Sequence, residues 1–443
     1  MSNLRKNFWI LVVCLCSFLT PYALRLTLVY AAEARSIWGK RGQTTSTIQS
    51  DNPWGIQVSP KEGYIIEYSA PKLTPLVIHV QDAHANPPSQ SNISKILRQL
   101  TQKYSVKLVC VEGADGGFDD SLFNIENTDL KEKVVRYFLN EARLTGAEYE
   151  WLMHQAPGVA YSPSFTLWGI EDNNLYTDHW NVWEKTQGKQ ELIPLAQEIL
   201  KKIQGEYGTH VSSPLLKYEQ NVEAFRQGVS SLKDYLGQVM GLVNEQGIVV
   251  SRYPQVEKLL QIYQGTLSGS LSLGLSSTEE LDHLEQEIRL KLASSEPEKE
   301  YVRLSRLAAL FVRFVKLEMT PSEWKEYQNQ RDSWEEYIHR EHQINLSNLE
   351  AFRQFYELAN RRDHVLLDNA LSQMNNMDVE RTVLIAGGFH SYGITGQLRE
   401  RQLPYMVIAP KVESPTDPLV YAKAMHGKPL TVEEVQEVTE RVK

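Results

Sequence analysis

Cysteine is scarce in this chain of 443 residues, which contains only three. Two of them, Cys14 and Cys16, lie in a hydrophobic N-terminal segment, and the third is Cys110. Once that segment is removed, no internal disulfide can form, so the hydrophobic core alone must supply the stability of the fold. A chain of roughly 400 residues is long enough to bury such a core.

Positive charge is also in short supply, because 46 Lys and Arg face 55 Asp and Glu, which gives a formal net charge of −9. Nucleic-acid binding needs basic residues that neutralise phosphates, so we expect no nucleic-acid partner. Several catalytic motifs are missing as well. The sequence has no Gly-x-Ser-x-Gly, Gly-x-x-x-x-Gly-Lys, Gly-x-Gly-x-x-Gly, His-Glu-x-x-His or Cys-x-x-Cys, which argues against the common serine-hydrolase, nucleotide-binding and zinc-protease classes.

The N-terminal segment has the pattern of a secretory signal. Two basic residues open it, an apolar stretch continues to about Leu24, and small residues follow at Ala31 and Ala34. We predict a signal peptide over residues 1–34, a flexible leader over residues 35–53 and export to the periplasm or the extracellular space. An uncleaved N-terminal membrane anchor is the alternative. No second hydrophobic run has spanning length, so we expect no membrane span in the mature chain.

The next part of the chain alternates strand and helix patterns. A β-rich run at residues 76–80, helical spacing over residues 91–104 and a second run at residues 106–111 form a strand–helix–strand unit. A crossover of this length predicts parallel pairing of the two strands. Residues 55–68 favour a β-hairpin that precedes this unit.

Further strands are predicted at residues 165–170 and 382–386, with helical spacing in the long polar stretch between them. We therefore predict an α/β fold. Its parallel or mixed sheet is built from N- and C-terminal parts, residues 54–184 and 376–443. Residues 185–375 form a large helical insertion or cap.

Chemically capable side chains follow the predicted strands at the point where each strand ends. His84 follows the first strand, Glu112 the second and His390 a distant fourth. The carboxyl ends of parallel strands meet at one edge of a sheet, so we expect these three side chains to be catalytic or to bind a divalent metal. Asp172, which follows the third strand, is a further candidate metal ligand.

Two glycines and an arginine are candidates for binding a cofactor or substrate. Gly387 and Gly388 would let the backbone approach a ligand closely. Arg362 could clamp an anionic group, with a surface ion pair as the alternative interpretation. His79 and Cys110 fall inside predicted strands, and we expect both to be packed in the core.

These motifs resemble those of the superfamily that contains erythromycin esterases, haem-binding uptake proteins and Tiki/TraB proteins. The resemblance covers residues 76–113 and 382–411. It rests on a strand-end motif that closes on histidine, a glutamate at the next strand end, an Arg-Asn or Arg-Asp pair on a helix and a late Gly-x-x-His. In this sequence these are Gln81-Asp82-Ala83-His84, Glu112, Arg362-Asp363 and Gly387-Gly388-Phe389-His390. Gln81 stands where the family usually has Gly or Glu.

What the resemblance implies differs between the branches of this superfamily. Tiki-like members are metal-dependent peptidases, esterase-like members activate water with His and Glu without a metal, and haem-binding members hold a cofactor. We expect a hydrolase of ester or peptide bonds that acts on a small-molecule or peptide substrate. The alternatives are an uptake module that binds haem or another cofactor without catalysis, and a non-catalytic scaffold that binds a protein partner. The sequence gives no basis for an oligomeric state.

Overall fold

The structure, a computed structural model, describes residues 52–154, 165–208, 211–267, 273–413 and 430–443. The predicted signal peptide and residues 35–51 of the predicted leader lie outside the described residues. Of the helices that are described, none combines the length and the apolar character that crossing a membrane requires.

One mixed sheet of seven strands is present in the described part of the chain. The strands are Gly63–Ser69 (β1), Leu76–Asp82 (β2), Leu108–Val111 (β3), Asp115–Gly117 (β4), Thr166–Ile170 (β5), Arg381–Gly387 (β6) and Tyr405–Pro410 (β7). Their order across the sheet is β1-β7-β2-β6-β3-β5-β4. The five inner strands are parallel, whereas β1 and β4 are antiparallel to their neighbours. The prediction of an α/β fold with a sheet drawn from both ends of the chain is confirmed.

The predicted hairpin over residues 55–68 is wrong. Residues 52–62 form turns and irregular chain, and β1 pairs instead with β7, with Gly63 opposite Pro410. Ile65 of β1 is completely buried in the core. Pairing with a distant strand thus buries apolar side chains that a local hairpin would leave in water, and tertiary packing overrides the local turn preference.

Fourteen α-helices are found among the described residues. This large helical content is consistent with the predicted helical insertion. They are Pro87–Tyr104 (α1), Thr128–Asn140 (α2), Gly146–His154 (α3), Asn173–Gln187 (α4), Leu192–Gly208 (α5), Ser213–Arg226 (α6), Leu232–Glu245 (α7), Pro254–Gln264 (α8), Leu275–Leu292 (α9), Glu296–Val315 (α10), Pro321–His342 (α11), Glu350–Asn376 (α12), Ser391–Glu400 (α13) and Val432–Val442 (α14).

The described chain divides into two compact units. Residues 52–177 and 362–443 form the sheet unit, and residues 178–361 form the helical unit. The helical unit has a core of its own, in which Tyr235 and Leu284 are completely buried. Both divisions fall inside helices, α4 and α12, so the C-terminal part of α12 belongs to the sheet unit.

Helix α1 packs against one face of the sheet because its apolar residues recur every three or four positions. The Asn86 side chain caps its first turn by accepting a hydrogen bond from the backbone N–H of Ser89, and Pro87 is its first residue. Buried apolar side chains of α1 and of β2 share one core, namely Ile93, Ile96, Leu97, Leu100, Ile78 and Val80. Alternation along β2 sends His79 and Gln81, which directly follow Ile78 and Val80, to the opposite face.

His79 is a core histidine, as predicted. Its ring is completely buried, with Nδ1 3.1 Å from the carbonyl oxygen of Leu384 and Nε2 2.9 Å from the Ser391 hydroxyl. Burial lowers the pKa of His79 to about 4, so the ring is neutral at pH 7. Its Nδ1–H therefore donates to the carbonyl, and the Ser391 hydroxyl donates to Nε2. Cys110 is also completely buried, again as predicted.

The direction of the strand crossovers reverses between β2 and β6. The connection from β2 to β3 crosses β6 in one direction, and the connection from β6 to β7 crosses β2 in the other. Right-handed crossovers in opposite directions place their helices, α1 and α13, on opposite faces of the sheet. The chain therefore separates at the carboxyl ends of β2 and β6, which is where ligand sites form in open α/β sheets.

Candidate functional site

Three neighbouring strands bring the predicted site residues to the same edge of the sheet. In the register of β2 and β6, Asp82 lies opposite Gly387. On the other side of β6, the backbone N–H of Glu112 donates to the carbonyl oxygen of Ile385 over 3.0 Å. His84 follows β2 by two residues and His390 follows β6 by three. The strand ends therefore set the positions of these side chains.

Glu112 lies at the centre of the group. Its Oε1 atom accepts from Arg362 at 2.9 Å and lies 3.2 Å from Nε2 of His390. Its Oε2 atom accepts from the backbone N–H of Gly387 at 2.7 Å and lies 4.0 Å from Nε2 of His84. Burial alone would raise the pKa of Glu112, but the charge and hydrogen bond of His390, together with Arg362, hold it well below its ordinary value. Glu112 is thus ionised at neutral pH.

Each histidine of the site lies between two carboxylates. Nδ1 of His84 is 2.9 Å from Asp82, and Nδ1 of His390 is 2.6 Å from Asp363, while both Nε2 atoms face Glu112. Burial opposes charge on both rings, but these carboxylates outweigh it and raise the pKa of each histidine to about 9. The His84 side chain is 43% exposed and that of His390 only 4%. His84 is therefore the member of the group that is accessible from solvent.

Arg362 is buried, which overturns the interpretation of it as a surface ion pair. Its side chain is 6% exposed and bridges two carboxylates, Glu112 at 2.9 Å and Glu171 at 2.7 Å. The Tyr176 ring lies over the guanidinium, with its centroid 5.0 Å from Cζ. The planar guanidinium can bond both carboxylates at once, so it fixes Glu112 relative to the end of β5.

The sequence analysis did not predict Asp363 or Glu171 as site residues, although Asp363 belongs to the Arg362-Asp363 motif and Glu171 directly follows the third predicted strand. A signal for Asp363 was present in the helical spacing of α12. Arg362 and Asp363 precede the completely buried Leu366, Leu367 and Ala370 by three to eight positions, so they continue the apolar face of that helix. Charged residues on a buried face need partners, and such partners mark a site candidate.

Asp172, predicted as a metal ligand, lies outside this group. Its side chain is exposed, and Oδ1 accepts from the backbone N–H groups of Asn174 and Leu175, each at 2.9 Å. Asp172 is therefore the N-cap of α4, a role that its place directly before a helix favours.

Gly387 and Gly388 differ in the space around them, and this gives a testable prediction. A Cβ atom on Gly387 would lie 3.0 Å from Nε2 of His84 and 3.5 Å from Oε2 of Glu112, whereas one on Gly388 would have no neighbour within 4 Å. We expect Gly387→Ala to fold and to displace the exposed His84 ring, so that the ring resonances of His84 shift in NMR spectra. Gly388→Ala is the matched control. Equal shifts in both variants would contradict this account.

The donor atoms of the site are of the kind that a divalent ion takes. Two imidazole Nε2 atoms face one carboxylate, and an aspartate holds each Nδ1, as is common around metal-binding histidines. Yet no group of three or more His, Cys, Asp and Glu side chains is arranged to hold a metal ion in the described ranges. Arg362 and the N–H of Gly387 occupy the Glu112 oxygens.

Comparison of the chain with protein-family models, with curated proteins and with solved structures found no match.

Proposed function

We propose that the chain is an exported hydrolase of ester or peptide bonds in which His84 activates a water molecule beside Glu112. One observation carries the proposal: the exposed His84 ring is held through Nδ1 by Asp82, and its Nε2 faces Oε2 of Glu112 across a 4.0 Å gap. This distance is too long for a direct hydrogen bond but suits two atoms that share one water molecule. The resemblance of the motifs to those of esterases and peptidases supports the same reaction class.

In the proposed reaction the neutral form of His84 acts as the general base. Nε2 takes a proton from water as the water oxygen attacks the carbonyl carbon of the ester or amide. Asp82 keeps Nδ1 protonated and stabilises the imidazolium that forms. The carbonyl reforms as the bond to the leaving alcohol or amine breaks, and His84 returns the proton to that group. Glu112, fixed by Arg362, orients the water throughout.

The direct test is hydrolysis by the purified protein of p-nitrophenyl acetate and of a mixture of quenched fluorogenic peptides. We expect His84→Ala to lower kcat/KM by at least about 100-fold on whichever substrate is turned over, because general base catalysis contributes about 10²–10⁴-fold. His283→Ala is the matched control, since His283 is an exposed histidine on α9 of the helical unit. A wild-type rate no higher than that of His84→Ala would refute the hydrolase.

The same preparation separates the proposal from its rivals. Hydrolysis by His84 itself predicts a rate unchanged by EDTA. Loss of the rate in EDTA and its return with a divalent metal would replace this mechanism by metal-dependent hydrolysis. Haem that copurifies, disappears in the His84→Ala/His390→Ala double variant and accompanies no turnover would favour the uptake module instead.

A further inference from the structure

Gln90, on the first turn of α1, lies directly behind the pair formed by Asp82 and His84. Its side chain is buried, with 3% of the residue exposed. Its Nε2 donates to Oδ1 of Asp82 at 2.5 Å and to the carbonyl oxygen of Ala83 at 3.1 Å. The other oxygen of Asp82, Oδ2, is the one that faces Nδ1 of His84. Gln90 therefore holds one side of the carboxylate and leaves the other for the histidine.

The other end of the Gln90 amide is tied to α3. Its Oε1 accepts from the backbone N–H of Gly146 at 2.7 Å. Gly146 is the first residue of α3, where backbone N–H groups have no partner within the helix. A Cβ at position 146 would lie 2.1 Å from the backbone carbonyl oxygen of Gln90. A residue without a side chain is therefore needed for α1 and α3 to approach this closely.

These contacts determine which way the amide faces and why an amide is required. Oxygen must face the N–H of Gly146, and nitrogen must face the two acceptors, Asp82 and Ala83. A carboxylate in place of the amide would repel Asp82, and an apolar side chain would leave buried polar groups without partners. Glutamine satisfies all three contacts.

We infer that Gln90 is a positioning residue for the reaction, one that fixes the Asp82 carboxylate and through it the orientation of His84. The hydrogen-bonded series runs from the start of α3 through Gln90 and Asp82 to the ring of His84. It spans three elements of the sheet unit, α3, α1 and the end of β2. Gln90 acts on His84 through Asp82, and its catalytic meaning rests on the proposed function.

The test compares Gln90→Met with Gln99→Met. Gln99 is on the same helix, and its side chain accepts from the backbone N–H of Ser59, away from the site. We expect Gln90→Met to lower kcat by up to about 100-fold, the cost of a misplacement of about 1 Å, with KM nearly unchanged. In the Asp82→Asn background the same substitution should cause no further loss, because the two residues act as one unit. Additive losses would overturn the inference.

A second readout does not depend on turnover. The Nδ1–H proton of His84, hydrogen-bonded to Asp82, should give a downfield NMR resonance that Gln90→Met removes and Gln99→Met retains. Retention of that resonance in Gln90→Met would overturn the inference even if the wild type is an active hydrolase. Its loss would support the inference even if no substrate is found. If Gln90→Met fails to fold, Gln90→Asn keeps a buried amide that is too short to reach both partners, and the same criteria apply.

Discussion

Replacing Arg362 by leucine is expected to lower the melting temperature of the sheet unit by about 10 °C. The substitution leaves Glu112 and Glu171 buried without their shared cation, and removing one partner of a buried ion pair costs about 3–5 kcal/mol. For a unit of this size each kcal/mol corresponds to about 2–4 °C. Thermal unfolding of the full chain, followed by circular dichroism, measures the shift.

The neighbouring residue supplies the control for this experiment. Arg361 is exposed on the same helix, so Arg361→Leu should change the melting temperature by no more than about 2 °C, as surface substitutions do. An equal loss in both variants would mean that the two buried carboxylates do not depend on Arg362.

The rate of hydrolysis is expected to rise about tenfold per pH unit from pH 7 and to level off near pH 9. The raised pKa of His84, about 9, leaves only the minor, neutral fraction of the ring able to accept a proton at pH 7. Asp82 and Glu112 raise this pKa, and burial and the charge of His390 oppose them. The profile of kcat/KM against pH measures the effect, and a rate that falls above pH 9 would assign His84 as an acid instead.

Both histidines have a pKa near 9, so two variants are needed to tell which one is the base. Asp82→Asn removes the carboxylate on Nδ1 of His84 and should move the rising limb of the profile of kcat/KM against pH to lower pH. Asp363→Asn does the same for His390 and should leave the limb of His84 nearly in place. A limb that moves with Asp363→Asn alone would make His390 the base.

The sequence allowed the strand ends to be placed but not the partners of their side chains. β2, β3 and β6 were recognisable as short apolar runs, so His84, Glu112 and His390 could be assigned to one edge of a parallel sheet. Arg362 and Asp363 lie on a helix far along the chain. Whether that helix meets the sheet edge depends on tertiary packing, which the local sequence pattern does not determine. For Asp172 the strand-end position was misleading, because its carboxylate caps the helix that follows the strand and does not join the site.

The order of the strands also bears on how the chain must be made. β6 fills the place between β2 and β3, and β7 fills the place between β1 and β2, yet both are synthesised after every other strand. Until residue 381 has emerged, β2 lacks both of its neighbours and presents bare backbone groups that can pair with other chains. A nascent or prematurely terminated chain is therefore a ready target for aggregation or proteolysis, and His84 and Glu112 can meet His390 only after β6 has taken its place between β2 and β3.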